Sequence, residues 1–155
     1  MREEQVTKYI LRWLINSGWE IVCFDFPQSG TGRFLHPNDS SQKNRGAINP
    51  DIVAVKDGKS VFFENKDRFY YSDFKKINDL ITGNAYSKAI NNLLSTYSVN
   101  EFYYGIGLPK VKYSKSAEKR SKCVAYIACS RNRDRKLSFS SMVAAEHVFN
   151  RINLF

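Results

Sequence analysis

Residues 50–66, PDIVAVKDGKSVFFENK, decide how this chain is read. Two runs rich in β-branched and aromatic residues, Asp51 to Val55 and Lys59 to Lys66, flank Asp57-Gly58, a dipeptide suited to the positive φ angles of a type I′ turn. With those two residues as the turn, Lys56 faces Lys59, and pairing outward from there sets Asp51 opposite Glu64. That pair falls on the non-hydrogen-bonded type, whose Cβ atoms stand roughly 4.5–5.5 Å apart. Lys66 lies two residues further on the same face, with Val53, Val55 and Phe62 beneath. The register is decisive, because a slip of one residue would send Glu64 and Lys66 to the opposite face.

Two carboxylates this close repel unless one takes up a proton or a cation sits between them. A divalent metal is the simplest cation, and oxygen ligands with no nearby His or Cys favour Mg²⁺, with Mn²⁺ able to substitute. Such an ion activates water and neutralises charge on phosphate oxygens, which points to phosphodiester hydrolysis. The competing reading makes Asp51 a strand-start residue and Glu64 with Lys66 a surface pair of negligible worth. The apolar run that leads into Glu64 counts against it, because charges at the end of such a strand are seldom mere decoration.

Pro50-Asp51 followed by Glu64-Asn65-Lys66 resembles the signature of the PD-(D/E)XK nuclease superfamily. The resemblance covers residues 3 to 108, about two thirds of the chain. It implies an α/β fold with a restriction endonuclease-like core, a central mixed β-sheet flanked by helices in the order αβββαβ. It also implies that Asp51 and Glu64 are metal ligands, that Asn65 adds its backbone carbonyl, and that Lys66 assists the attacking water. Asn65 departs from the apolar residue commoner at its position. Many members carry a glutamate on the first helix that faces the site. Glu3, which shares the helical face of Val6 and Ile10 while Glu4 points aside, is the candidate here.

Around the hairpin, Glu3 to Ser17 reads as an amphipathic helix with Val6, Ile10, Trp13 and Leu14 on one face and Gly18 as its stop. Trp19 to Phe26 reads as a strand ended by Pro27. Residues 27–49 are rich in Gly, Ser, Asn and Pro and exceed the roughly 12–15 residues usual for a structureless connection, so they are expected to be functional or mobile. Ser72 can cap a helix containing Phe74, Ile77 and Ile81 that Gly83 ends. Asn84 can cap another, with Tyr86, Ala89, Ile90, Leu93, Leu94 and Tyr97 on one face. Glu101 to Leu108 and Lys122 to Cys129 read as strands, and Ser141 as the start of a final helix containing Met142, Ala145, Phe149 and Ile152.

The 155 residues suit a single domain, 1–155, able to bury a core without staples. Hydrophobic residues at 43% argue against disorder, and no apolar run is long enough to span a bilayer, so no membrane association is expected. No export signal is visible, and three cysteines within apolar runs (Cys23, Cys123, Cys129) suit a reducing, cytoplasmic location. None forms a CxxC pair, and His36 and His147 lie far from one another, which argues against structural zinc.

A net charge of +9 favours a polyanionic partner. Its carriers cluster in two loops expected to contact DNA, 27–49 and 109–121, and after the strand ending at Cys129. They are Arg33, Lys43 and Arg45; Lys110, Lys112, Lys115, Lys119 and Arg120; and Arg131 and Arg133. Double-stranded DNA is the expected partner, with no small-molecule cofactor. The leading expectation is a small sequence-specific endonuclease of restriction type, working as a homodimer so that two sites cut both strands. Arg33, Gln42, Asn44 and Arg45 would be available for base reading. The alternatives are a structure-specific nuclease such as a Holliday junction resolvase, and a non-catalytic nucleic-acid-binding module.

Overall fold

A computed structural model of the chain describes residues 2–26, 29–39, 46–68, 72, 80, 84–109, 126–130 and 137–141. Helix α1 (Glu3–Asn16) forms on the stripe Val6, Ile10 and Leu14, each fully buried. Glu3 and Glu4 occupy its first turn, where carboxylates complement the helix dipole, and the Arg2 N–H donates to Gln5 Oε1 at 3.1 Å. Gly18, at φ +77°, closes the helix in a Schellman motif: the Trp19 N–H donates to Leu14 O and the Gly18 N–H to Ile15 O, both at 3.0 Å. The Lys56 ammonium donates to Ser17 O at 2.6 Å, so a cation from the hairpin neutralises the helix C-terminus.

The hairpin forms in the register expected of a two-residue turn. Asp57 (φ +48°) and Gly58 (φ +74°) both take positive φ, and β2 (Ile52–Lys56) pairs with β3 (Lys59–Asn65) from Lys56↔Lys59 outward to Ile52↔Phe63. Strand β1 (Glu20–Phe24) lies antiparallel to β2, with an irregularity at Val22. A 3₁₀ turn (Asn84–Tyr86) leads into helix α2 (Ser87–Leu93), after which β4 (Glu101–Pro109) runs parallel to β3. Strand β5 (Tyr126–Ser130) is parallel to β4, and β6 (Leu137–Ser141) is antiparallel to β5. The result is an α/β architecture around a six-stranded mixed sheet in sequential order.

Helix α1 covers one face, packing Val6, Ile10, Leu14 and Trp19 on Ile52, Ala54, Val61 and Phe63. The other face carries Val53, Val55, Phe62, Tyr104, Ile106 and Leu108 beneath Leu35, Ile48, Leu80, Tyr86, Ile90 and Leu94. On that face the Phe62 and Tyr104 rings stack at 5.4 Å.

Within residues 29–39 and 46–49, Leu35 and Ile48 exchange backbone hydrogen bonds (2.7 and 2.9 Å) and are buried in the core, while Ser29, Gly30, Thr31, Arg33, Phe34 and His36 are exposed. Other expectations change. Helix α2 starts at Ser87 and ends at Leu93, so Asn84 does not cap it and Tyr97 lies beyond it. Its cap comes from afar, since Asn38 Oδ1 accepts the Lys88 N–H (3.1 Å) while Asn38 Nδ2 donates to Asn84 O (2.5 Å) and Ser87 Oγ (3.0 Å). Strand β6 was not anticipated, and Ser141 is its last residue. The helices expected at 72–83, apart from Ser72 and Leu80, and beyond Ser141 lie outside the described residues, as do residues 122–125 of the fifth strand. No helix among the described residues is long and apolar enough to cross a membrane.

Glycines in β4 set how closely α1 approaches. A Cβ on Gly107 would collide with Asn65 Oδ1 and with Ile10 Cδ1, and one on Gly105 with the Phe63 ring. Gly107→Ala should therefore lift the first half of α1 and cost about 1–3 kcal/mol. Thermal denaturation should read this as a fall of about 2–4 °C for each kcal/mol.

Candidate active site

The site lies at one edge of the sheet, where β1 and β3 end and β2 begins. Strand β3 delivers Glu64, 3% exposed, and Asn65, fully buried, and the Lys66 N–H continues the ladder by donating to Gly107 O at 2.9 Å. The Lys66 ammonium stands 3.2 Å from Glu64 Oε1 and 3.0 Å from Glu3 Oε1, so it joins the end of β3 to the first turn of α1. Glu4 instead pairs with Lys8 across one helical turn (2.5 Å) and points away. The choice of Glu3 over Glu4 thus agrees with where the two side chains lie.

Asp51 is near Glu64 but not by the pairing expected of it. The ladder stops at Ile52↔Phe63, and Asp51 sits just outside it with its N–H donating to Phe63 O (2.9 Å). Its carboxylate then accepts the Asn65 N–H (Oδ2, 2.5 Å), a donor that a continuing ladder would have given to a backbone carbonyl. The Asp51 side chain thus takes the place of the ladder's carbonyl at this point.

Burial, followed by the nearby Glu64 carboxylate, pushes the Asp51 pKa up to about 7, opposed by the Asn65 N–H and by Lys66. Burial works against the charge on Lys66, but Glu64, Asp51 and Glu3 outweigh it and raise the pKa above that of a free lysine. The ammonium is thus firmly charged, while Asp51 shares its pocket with a like charge that this single cation does not fully offset.

Asn65 earns its place on the far face of the strand. Its Nδ2 donates to Thr7 Oγ1 at 3.2 Å in a buried position, and Thr7 in turn donates to Glu3 O at 3.2 Å. A polar chain therefore runs from the strand through Thr7 to the residue that holds Lys66. Thr7 and Asn65 become complementary only when α1 and β3 meet, which no local pattern in the sequence reveals.

Beside Asp51, Asp25 is a second node the sequence reading missed. The Asp25 N–H donates to Asp51 O (2.9 Å), and its carboxylate accepts Ser29 Oγ and Asn49 Nδ2, each at 2.6 Å. Burial would raise its pKa, but the hydrogen bonds from Ser29, Asn49 and Thr31 bring it below the usual carboxylate value. An acid one residue before the end of the loosely alternating run WEIVCFDF was the available signal. Cys23, in that run, is half-buried with its thiol pushed up to about 11 mainly by burial, as suits an inert side chain.

Of the basic residues singled out, Arg33 is described and exposed, whereas Lys43, Arg45, Lys110, Lys112, Lys115, Lys119, Arg120, Arg131 and Arg133 lie outside the described residues. The strand ends that lead to them are informative. Asn65 pairs with Gly107, Pro109 with Ser130, and Ser130 with Leu137, so the chain leaves β4 and β5 at the same sheet edge as Glu64 and Lys66. Phe24, which pairs with Ile52, brings β1 to that edge as well.

Among the described residues, no three His, Cys, Asp or Glu side chains converge into a metal cage. Asp51 and Glu64 are nevertheless a donor set of the kind Mg²⁺ uses, one or two carboxylates with water and substrate phosphate completing the shell. Their mutual repulsion, which adds to burial in raising the pKa of Asp51, is what a divalent cation would relieve. The chain matches no protein-family model and no curated protein.

The metal-free protein should become less stable as pH rises from about 4 towards 7. Folded Asp51 holds a proton that the unfolded chain releases near the ordinary aspartate value of 3.8, so the folded state binds more protons across that interval and stability falls with pH before levelling off above 7. Urea denaturation in EDTA at pH 4.5 and 7.5 checks this. Asp51→Asn should flatten the difference, and an unchanged difference would mean that Asp51 is not the group responsible.

Proposed function

We propose that this chain is a Mg²⁺-dependent endodeoxyribonuclease of the PD-(D/E)XK type, with Mn²⁺ able to substitute, hydrolysing phosphodiester bonds in double-stranded DNA. The observation that carries the reading is the meeting of Asp51, Glu64 and Lys66 at one sheet edge, with Lys66 held by Glu3. Surface decoration does not account for a glutamate 3% exposed beside a second, desolvated carboxylate. The described order α1, β1, β2, β3, α2, β4, with β4 parallel to β3, supports a restriction endonuclease-like core.

On this reading Asp51 and Glu64 hold the ion and the Asn65 carbonyl adds to the shell. When bound, the ion supplies Lewis acidity towards water and phosphate oxygens. The residues of the chain do the positioning. The Lys66 ammonium, fixed between Glu3 and Glu64, orients the attacking water and stabilises charge on the phosphate. Glu3 keeps that ammonium from collapsing wholly onto Glu64. The Asn65 N–H fixes Oδ2 of Asp51 and so holds the carboxylate in place at the site. The basic segments that leave β4 and β5 at this edge, together with Arg33, contact phosphates along the duplex. We assign the protein to the small restriction-type endonucleases, acting as a homodimer in the cytoplasm.

Incubation of a mixed plasmid library with Mg²⁺ tests the reading. Discrete fragments are expected; cutting confined to four-way junctions would make it a junction resolvase, and no cutting with Mg²⁺ or Mn²⁺ would leave a binding module. Glu64→Ala should lower cleavage by about a thousandfold or more while preserving DNA binding, because it removes the ion's several kcal/mol of stabilisation. A Glu64→Ala protein that cuts at the parent's rate would refute the assignment.

A further inference from the structure

On the sheet face opposite α1, the segment 33–38, the edge of β1 at Val22 and the outer side of α2 enclose a cleft of about 670 Å³. That volume lies within the range of roughly 300–1,000 Å³ typical of small-ligand sites. Its lining includes Arg33, His36 and Lys88 but, among the described residues, no Asp or Glu. Glu20, nearby, accepts a hydrogen bond from the Tyr97 hydroxyl at 2.9 Å. Phe34, 62% exposed, stands in this cationic surround although its neighbour Leu35 is buried.

The ring is displayed by a segment pinned on both sides. Before it, Ser29 Oγ and Thr31 Oγ1 bond Asp25 Oδ1 at 2.6 and 3.3 Å. After it, Leu35 pairs with Ile48 and Asn38 grips the start of α2. A ring carried on backbone that is already held on both sides needs little loop ordering to bind, and a flat apolar face among cations matches a nucleobase with its phosphate. Asp25 anchors this segment and also bonds the backbone of Asp51, so one residue links the segment that carries Phe34 to the proposed active site.

We propose that this cleft seats one unpaired nucleotide of a DNA strand, its base stacked on Phe34 and its phosphate held by Arg33 and Lys88. The inference rests on the nuclease reading and names a part of the substrate that reading leaves open: a duplex with a displaced or looped-out nucleotide near the scissile bond.

Fluorescence anisotropy in EDTA tests it, using a paired duplex, the same duplex with one bulged nucleotide, and that duplex with an abasic bulge. The parent protein should prefer the bulged nucleotide over the other two by about five- to 150-fold, the range of one base–aromatic stack. Phe34→Ala should erase the preference and Phe34→Trp should keep it. Lys88→Ala should weaken binding to the bulged duplex and reduce its salt dependence. Equal affinity for all three duplexes, a preference that survives Phe34→Ala, or competition by a free deoxynucleoside monophosphate as strong as by bulged DNA would overturn the proposal. Because no metal is present, the result is separate from cleavage. Lost preference with intact cutting sinks only the cleft, and intact preference without cutting sinks only the nuclease reading.

Discussion

Everything at the site depends on two consecutive positive φ angles. Asp57 and Gly58 form a turn with no residue to spare, and this fixes which residues of β2 and β3 face α1 and which face the opposite layer. With that register, Phe62 and Val53 share the layer beneath Leu35, while Phe63 and Ile52 share the layer beneath α1. Glu64 and Asn65 inherit the same alternation at the strand's end. Glu64 reaches the site, and Asn65 reaches Thr7. A three-residue turn would exchange their roles, burying a carboxylate against the helix.

The site is also where the sheet stops obeying its own rule. Up to Ile52↔Phe63 the backbone satisfies itself, and one residue later a side-chain carboxylate takes the donor. That exchange brings Asp51 close to Glu64 and costs solvation of both. A buried ion pair is weak evidence for stability, and replacing it with apolar residues is often neutral or stabilising. Such a cluster fits a region kept for chemistry, with the Asn65–Thr7–Glu3 chain as its support on the helical side.

How much could be read in advance follows the range of the interactions. The hairpin was legible because a dipeptide fixes it, and α1 because its stripe and its stop are local. The convergence of Asp51, Glu64 and Lys66 followed from the hairpin, and Glu3 from helical periodicity. The departure of Asp51 from the ladder was not legible, since it depends on a competition for the Asn65 N–H that pairing rules do not contain. Nor was the packing of 29–39, which is held by Asp25, Ile48 and Asn84 to Lys88 across long stretches of chain. Strand β6, LSFSS, resembles a serine-rich loop until β5 supplies its partner.

The strands that end at the site edge also have a bearing on how such a molecule can diversify. Chain that leaves β1, β4 and β5 there can lengthen at small entropic cost, about 0.6 kcal/mol for each doubling of a flexible loop. The core registers lie on the inner side of those exits and are not disturbed by what is added beyond them. Lineages of this fold could therefore exchange whole contact segments, and with them the targets they recognise, while the charged cluster at the edge is inherited intact.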